Sequence, residues 1–405
     1  MRRMVRKALI CLCLLVPFGG SAALADAGFN RWVESFWPEA RSAGISRSLY
    51  QEVFRGMTPD PDVIRKAEDQ PEFTRAIWQY LDSAVSDKRI ENGQRMLDEW
   101  GDWLDHIERK FGVSRYVVVA IWGMESSYGQ VLDNPSIVKP TIRSLATLAY
   151  KGGKRSRFGR TQLLAALKIL QNGDVAPHDM MGSWAGAMGH TQFIPTTYLA
   201  HAVDVTGDGR RDIWNTIPDA LASTAAYLKD SGWDAGKTWG YEVELPRGFD
   251  YTLGDMRSKK SLAQWTRLGI RRVNGSAFPR PGDQAVLYLP AGARGPAFLM
   301  LDNFRVIKRY NNANAYALAV GHLSDRLLGM DEFKASWPRD DRPLKSDERA
   351  EVQSLLNQGG FSAGKVDGKI GPNTKRAVMA YQKSRGMTPD GYVSLDLLRR
   401  LQRDF

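Results

Sequence analysis

Cysteine is almost missing. The 405-residue sequence has two, Cys11 and Cys13, both within its first 25 positions. With that segment removed as a leader, the rest has none, which excludes disulfides, thiol catalysis and Cys-based metal sites. Long hydrophobic runs are missing too. After the start no stretch approaches 18 apolar residues, so no stable membrane insertion is expected. The five histidines (His106, His178, His190, His201, His322) are scattered without ligand spacing. None lies in the last sixty residues, which excludes a zinc peptidase there. There is no G-x-S-x-G, H-E-x-x-H, P-loop or dinucleotide fingerprint. Ser136 to Lys139 fits S-x-x-K, but its companions are absent and Lys237-Thr238-Trp239 is not K-T-G, so chance explains it. What is present is globular: 43% hydrophobic and 25% charged residues, which rules out wholesale disorder. The net charge is +11, with Arg2, Arg3, Arg6 and Lys7 facing no acid before Asp26. A moderately basic chain suits an anionic partner. Nucleic acid is not expected, because its motifs are absent.

The first 25 residues read as a leader. A basic start is followed by ALICLCLLVPF and by an Ala-x-Ala site at Ala23–Ala25. The apolar stretch is too short for a helix across a bilayer, which needs about 20 residues. An exported product cleaved after Ala25 is expected. Residues 26–112 show helical spacing, with Met96, Trp100, Trp103, Leu104 and Ile107 forming an amphipathic stripe and a break at Pro71. Thr161–Gly173 reads as a helix with Thr161 as cap and Gly173 as stop. YEVEL, QAVLYLP and AFLMLDNFRVI, within 235–310, predict a small sheet. Asn311–Leu328 returns to helix. Ser336–Glu348 is polar with two prolines and reads as a linker. The last sixty residues carry a faint repeat, Val366-Asp367-Gly368 echoed by Pro389-Asp390-Gly391, which predicts three short helices joined by Asp-Gly turns.

The informative segment is VVVAIWGMESSYG, Val117–Gly129. Val118, Ile121, Trp122 and Glu125 fall on one helical face. Gly129 is expected to stop the helix, leaving Glu125 near its C-terminal end. Burial and the negative end of the helix dipole both raise a carboxyl's pKa. A carboxyl kept protonated near neutral pH is what leaving-group protonation needs. A structural Glu bonded to a neighbour satisfies the same pattern, so the residues alone leave both readings open.

WGMESSYG resembles the catalytic signature of the lytic murein transglycosylases, close to the transglycosylase B family (glycoside hydrolase family 103). SLATLAY (Ser144–Tyr150), ILQNGD (Ile169–Asp174), SWAGAMGHTQFIPTTY (Ser183–Tyr198), DGRRDIWN (Asp208–Asn215), AAYLKDSGW (Ala225–Trp233) and NFRVIKRYNNANAYALAV (Asn303–Val320) follow in the same order. The resemblance spans about residues 29–330. VQSLLNQGGF, VDGKIGPNTKRAVMAYQ and DGYVS resemble a peptidoglycan-binding module. The resemblance implies a mostly α (α+β) fold: a lysozyme-like catalytic domain with a small β-subdomain, plus a C-terminal three-helix module. The expected division is a leader at 1–25, a catalytic domain at 26–335, a linker at 336–343 and a binding module at 344–405. The implied activity cleaves the β-1,4 bond between N-acetylmuramic acid and N-acetylglucosamine in peptidoglycan and closes a 1,6-anhydro end. Glu125 is implied as sole acid/base. A muramidase using water, or a silent wall-binding protein, are the rival readings. Ser183 and Gln192 match cleft positions, and Tyr310, Asn311 and Tyr316 a late motif lining the cleft. Trp184 and Phe193 read equally as sugar-stacking or core residues. The periplasm is implied by the family alone, and no required cofactor or protein partner is implied.

Asp204–Asn215 resembles a calcium loop. Asp204, Thr206 and Asp208 hold positions one, three and five, Arg210 offers a carbonyl at seven, and Asp212 stands at nine. Position twelve is Asn215 rather than Glu. Asp219 matches the acid that closes a longer loop in the family. A structural calcium, or an Asp-Gly turn with no ion, are both consistent with this string.

Overall fold

The computed structural model describes residues 20–68 and 75–405, with side chains from residue 27 onward. Most of the leader, like Pro71, therefore lies outside the described residues. The helices on either side of Pro71, Pro61–Glu68 and Ile77–Ala84, are separate. Among the described residues no helix is long and apolar enough to cross a membrane.

A helix at Arg115–Ser126 forms the centre of the molecule. Residues Val117 through Gly123 are all buried, so it is sequestered on every side rather than along one stripe. It packs on helices Asp87–Glu99, Ile217–Asp230 and Asn314–Leu327, and its core is closed by Phe304, Tyr316 and Leu323. A second core joins the N-terminal helices to Thr141–Lys151 and Ser156–Gln171. The stripe from Met96 to Ile107 is not one helix. The backbone leaves helical φ/ψ at Trp100, which ends Asp87–Glu99 and precedes Gly101–Phe111. The helix expected from Thr161 begins five residues earlier, at Ser156. Thr161 is interior, and its hydroxyl donates to the Arg157 carbonyl at 3.1 Å.

The sheet is antiparallel, in the order Lys260–Ser261, Gln284–Tyr288, Ala297–Met300, Gly240–Glu244, Arg271–Arg272. Its central strand is buried throughout, and its own core includes Val243, Trp265, Leu287 and Leu299. The expected strand run AFLMLDNFRVI ends at Met300, because Asp302–Tyr310 is a helix whose apolar residues repeat at helical spacing.

The C-terminal region has a core of its own and three helices, Ser346–Gln358, Pro372–Ser384 and Leu395–Asp404. The repeat is physical. The Gln353 side-chain oxygen accepts from the N–H groups of Asp367 and Gly368 at 2.9 Å, as that of Gln382 accepts from Gly391 at 2.9 Å. The polar stretch read as a linker is pinned rather than free. Trp337 packs on Trp78 and Phe298, Arg339 makes a bidentate pair with Asp82, and Leu344 is buried in the C-terminal core. The C-terminal region docks on the sheet through Asp390, whose carboxylate accepts the Ala293 N–H at 2.8 Å. Gly292 makes this approach possible: at φ +60° it is left-handed, and a Cβ there would lie 2.4 Å from the Asp390 oxygen.

Candidate active site

Glu125 is the penultimate residue of the central helix. The helix does not wait for Gly129. Ser127 and Tyr128 already adopt left-handed backbone, at φ 51° and 60°, which turns the chain away directly behind the acid. Tyr316 donates its hydroxyl to Glu125 Oε1 at 2.6 Å. Burial lifts the Glu125 pKa to about 7, and the Tyr316 hydrogen bond opposes that lift without cancelling it. Among the described residues no second carboxylate and no cation contributes to the shift. Tyr316 itself is held well above its ordinary pKa, first by burial and then by the charge of Glu125. It therefore remains a proton donor wherever the acid is ionised.

The helix end is tied to the glycine-rich segment 183–198. Ser126 donates to the His190 carbonyl at 2.6 Å, and the Trp122 indole N–H donates to His190 Nδ1 at 3.1 Å. Burial lowers the His190 pKa, which keeps the ring neutral and able to accept. The adjoining loop is compact: Gly189 has φ +64°, and a Cβ on it would sit 2.4 Å from the Ile213 carbonyl oxygen. Gln192 is left-handed at φ 55°, and its side-chain N–H donates to the Gly189 carbonyl at 2.9 Å. A non-glycine residue in that region stores strain and is characteristic of functional loops.

Tyr310 closes the other side, donating to the Thr191 carbonyl at 2.6 Å, and it is close enough to feel the Glu125 charge. Phe193, read as a sugar-stacking candidate, is only 2% exposed, and its ring lies 5.8 Å from that of Tyr310. It supports Tyr310 from the core and has no face open to a sugar. Trp184 is half-buried, with the Arg155 guanidinium 5.3 Å above its ring. Ser183 is turned into its own loop, accepting the Ala187 N–H at 3.1 Å. Asn311 is exposed. Structure thus brings Glu125, Tyr316, Tyr310 and the loop of Gln192 together, and leaves Ser183 and Trp184 in supporting positions. Tyr80 was not anticipated. It sits on Ile77–Ala84, where the charge of Glu125 helps to raise its pKa, and that helix carries no motif to announce it. Ser126 was legible within WGMESSYG, but its role as a tie was not.

In the Asp-rich loop, oxygens of Asp204, Asp208 and Asp219 lie within 4.8 Å of one another. Asp219 is fully buried, and burial raises its pKa although it accepts the N–H groups of Val205, Thr206 and Asp212. Three converging carboxylates, one of them desolvated, form a set of hard oxygen donors that fits calcium. Asp212 and Asn215 are not part of it. The Asp212 carboxylate accepts from Trp214 N–H, Asn215 N–H and the Asn215 side chain.

A half-buried, desolvated acid at the end of a central helix, cradled by helices and a glycine-rich loop, defines an enzyme of the lysozyme-like class. Comparison with known proteins specifies it. Residues 28–325 match the transglycosylase SLT domain family, and residues 345–401 match a peptidoglycan binding domain. The chain belongs to the transglycosylase SLT domain family and is a lytic transglycosylase acting on peptidoglycan glycan strands. It is similar to SltB3 of Pseudomonas aeruginosa in complex with NAG-anhNAM-pentapeptide, with 50% identity, 92% of this chain and 99% of that chain covered, and a TM-score of 0.87. Membrane-bound lytic murein transglycosylase B of Escherichia coli is 28% identical over 294 residues, 69% of this chain and 78% of its own length. The Escherichia coli lytic transglycosylase Slt35 in complex with calcium shares 27% identity over 74% of this chain and 92% of that one, with a TM-score of 0.60.

Proposed function

We propose that Glu125 alone carries both proton transfers of a non-hydrolytic cleavage between N-acetylmuramic acid and N-acetylglucosamine. The neutral carboxyl gives its proton to the glycosidic oxygen as the C1–O bond breaks, and the substrate's N-acetyl oxygen supports C1. The C6 hydroxyl then bonds to C1 and returns its proton to the Glu125 carboxylate, so no water is consumed and a 1,6-anhydro end forms. The observation that carries this reading is a carboxyl at about pKa 7 whose one side-chain hydrogen-bond partner is the Tyr316 hydroxyl. Cleavage by paired carboxylates needs a second acid at fixed separation, and among the described residues none perturbs Glu125. The similar SltB3 is described in complex with an anhydro-sugar peptide, which supports the same product here. Tyr316 steadies the ionised intermediate, and Gln192 and Tyr310 shape the loop that meets the sugar.

The same reading takes residues 1–25 as an export leader removed after Ala25, places the enzyme in the periplasm, and divides it into a catalytic domain at 26–335, a connection at 336–343 and a wall-binding module at 344–405. Calcium at Asp204, Asp208 and Asp219, with Thr206 and the Arg210 carbonyl as further oxygens, would stiffen the loop without entering the chemistry.

The test is mass spectrometry of fragments released from purified peptidoglycan by residues 26–405. Muropeptides one water lighter than reducing-end species are expected, and none from Glu125→Gln. Reducing ends would make water the acceptor and overturn the closure step.

A further inference from the structure

Between the sheet region and the C-terminal region lies a cavity of about 750 Å³. Its wall combines apolar groups, among them Met256, Met379 and Tyr392, with three cations, Arg257, Lys375 and Arg376. None of the three forms an ion pair among the described residues; Arg376 donates only to the Asn373 side chain. The wall also carries two acids, both hydrogen-bonded by neutral N–H groups and still anionic. Asp255 accepts the N–H groups of Arg257 and Ser258, and Asp390 those of Ala293, Tyr392 and the Gln382 side chain. Lys375 reaches solvent at the cavity, yet surrounding protein desolvates its ammonium enough to lower its pKa, with no acid opposing. The wall thus holds three cations against two carboxylates, a net excess of one positive charge, with Asp255 near enough to feel the charge of Arg257.

The loop carrying Met256 and Arg257 also lines a second cavity, of about 450 Å³, which reaches Asn314. Met256 is left-handed at φ 57°, and its sulfur accepts from the Asn314 side chain at 3.7 Å. Asn314 stands two residues before Tyr316 on one helix. One strained loop thus touches both the cavity between the two regions and the helix that holds the acid's partner.

We propose that the larger cavity binds the carboxylates of a peptidoglycan stem peptide, held by Arg257 from the sheet region and by Lys375 and Arg376 from the C-terminal region. This rests on the function proposed above. The sugars of such a strand contribute no charge once their lactyl groups are amide-linked, so its anionic groups are those of the peptides. Part-apolar, part-cationic walls suit a short peptide with alkyl side chains and free carboxylates. A strand engaged at Glu125 is then gripped a second time, which raises its effective concentration there.

The test uses the chain with 13C-methyl methionine and the free peptide L-Ala-γ-D-Glu-diaminopimelate-D-Ala. Titration should shift the Met256 and Met379 methyl signals and leave Met124, beside Glu125, in place. Lys375→Glu with Arg376→Glu should weaken that binding at least tenfold, as should Arg257→Gln, and an amidated peptide should bind about tenfold more weakly. Unaltered methionine signals elsewhere certify that the variants are folded. No shift at Met256 and Met379, a shift undiminished in folded variants, or displacement by equimolar inorganic phosphate would each overturn the proposal. A protein that releases anhydro fragments but shows no such shift refutes this inference alone; one that shows the shift but releases none refutes the proposed function.

Discussion

Glu125 and Asp325 are chemically close to twins. Both are desolvated carboxyls lifted to about pKa 7, and each has one side-chain donor. For Glu125 the donor is the Tyr316 hydroxyl at 2.6 Å; for Asp325 it is the Trp239 indole N–H at 3.1 Å. Both donors and acceptors meet through the helix Asn314–Leu327, which carries Tyr316 near one end and Asp325 near the other. Their surroundings separate them. Glu125 accepts the Tyr316 phenol, its charge reaches the phenols of Tyr310 and Tyr80, and a loop under backbone strain lies nearby. Asp325 adjoins a pocket of about 120 Å³ beside His322, whose pKa burial depresses to about 4. Ligand sites run from about 300 Å³ upward, and that pocket is smaller. A raised pKa records burial; chemistry requires a neighbour that a substrate can reach.

The sharpest way to break the comparison is to neutralise each acid in turn. Glu125→Gln keeps an acceptor for Tyr316 but has no proton to give, and cleavage should fall about a thousandfold, within the range for lost acid catalysis. Asp325→Asn keeps the acceptor for Trp239, and cleavage should stay within about twofold of wild type. Turnover assays on the two proteins side by side decide it. Equal losses would mean that Asp325 belongs to the site.

Tyr316→Phe should cost about tenfold in kcat, the scale of one hydrogen bond to a charged group. Its pH signature is more telling. The hydroxyl favours ionised Glu125, so removing it raises the carboxyl's pKa further. The alkaline limb of the pH-rate profile, set near 7 in the wild type, should move to higher pH. A limb that stays in place would take Tyr316 out of contact with the working acid.

Asp325 should appear in stability instead. Its folded pKa of about 7 lies above the ordinary carboxyl value, so between those limits the folded state holds a proton that the unfolded state has lost. Stability conferred by this group is full at low pH and declines as pH rises toward 7. Asp325→Asn removes the decline. Thermal melting should therefore show no gain at pH 4 and a gain of a few degrees at pH 7.5. A gain independent of pH would point to packing rather than ionisation.

Glu125 was legible because a lone carboxyl in a long apolar string is conspicuous, and the helix forms where its periodicity puts it. Its partner was not legible by periodicity: Tyr316 lies 191 positions away, and only the resemblance of a late motif singled it out. Tyr80 carried no pattern at all. Phe193 shows the limit of composition, since an aromatic in a glycine-rich loop reads alike whether it faces a sugar or the core. Two sheet strands are two residues long, too short for alternation to register. The stretch from Ser336 has the composition of a free linker, and two apolar anchors, Trp337 and Leu344, dock it nonetheless.

The smallest expected effect concerns the Asp-rich loop, where a charge cluster sits apart from the chemistry. If Asp204, Asp208 and Asp219 hold calcium, the ion binds the folded state only, and at a hundred times its Kd it adds about 2.7 kcal/mol. For a domain of this size that is a rise of about 5 °C in Tm. Asp208→Asn tests it with little risk to the fold, because Asp208 is exposed and among the described residues its side chain accepts only the Arg210 N–H. Calcium should raise the Tm of the wild type, raise that of the variant much less, and leave the cleavage rate per folded molecule unchanged in both. Magnesium should substitute poorly, since it demands near-octahedral oxygens at about 2.1 Å, whereas calcium accepts a looser cage. Equal shifts with the two metals, or an undiminished shift in Asp208→Asn, would reduce the cluster to screened surface charge.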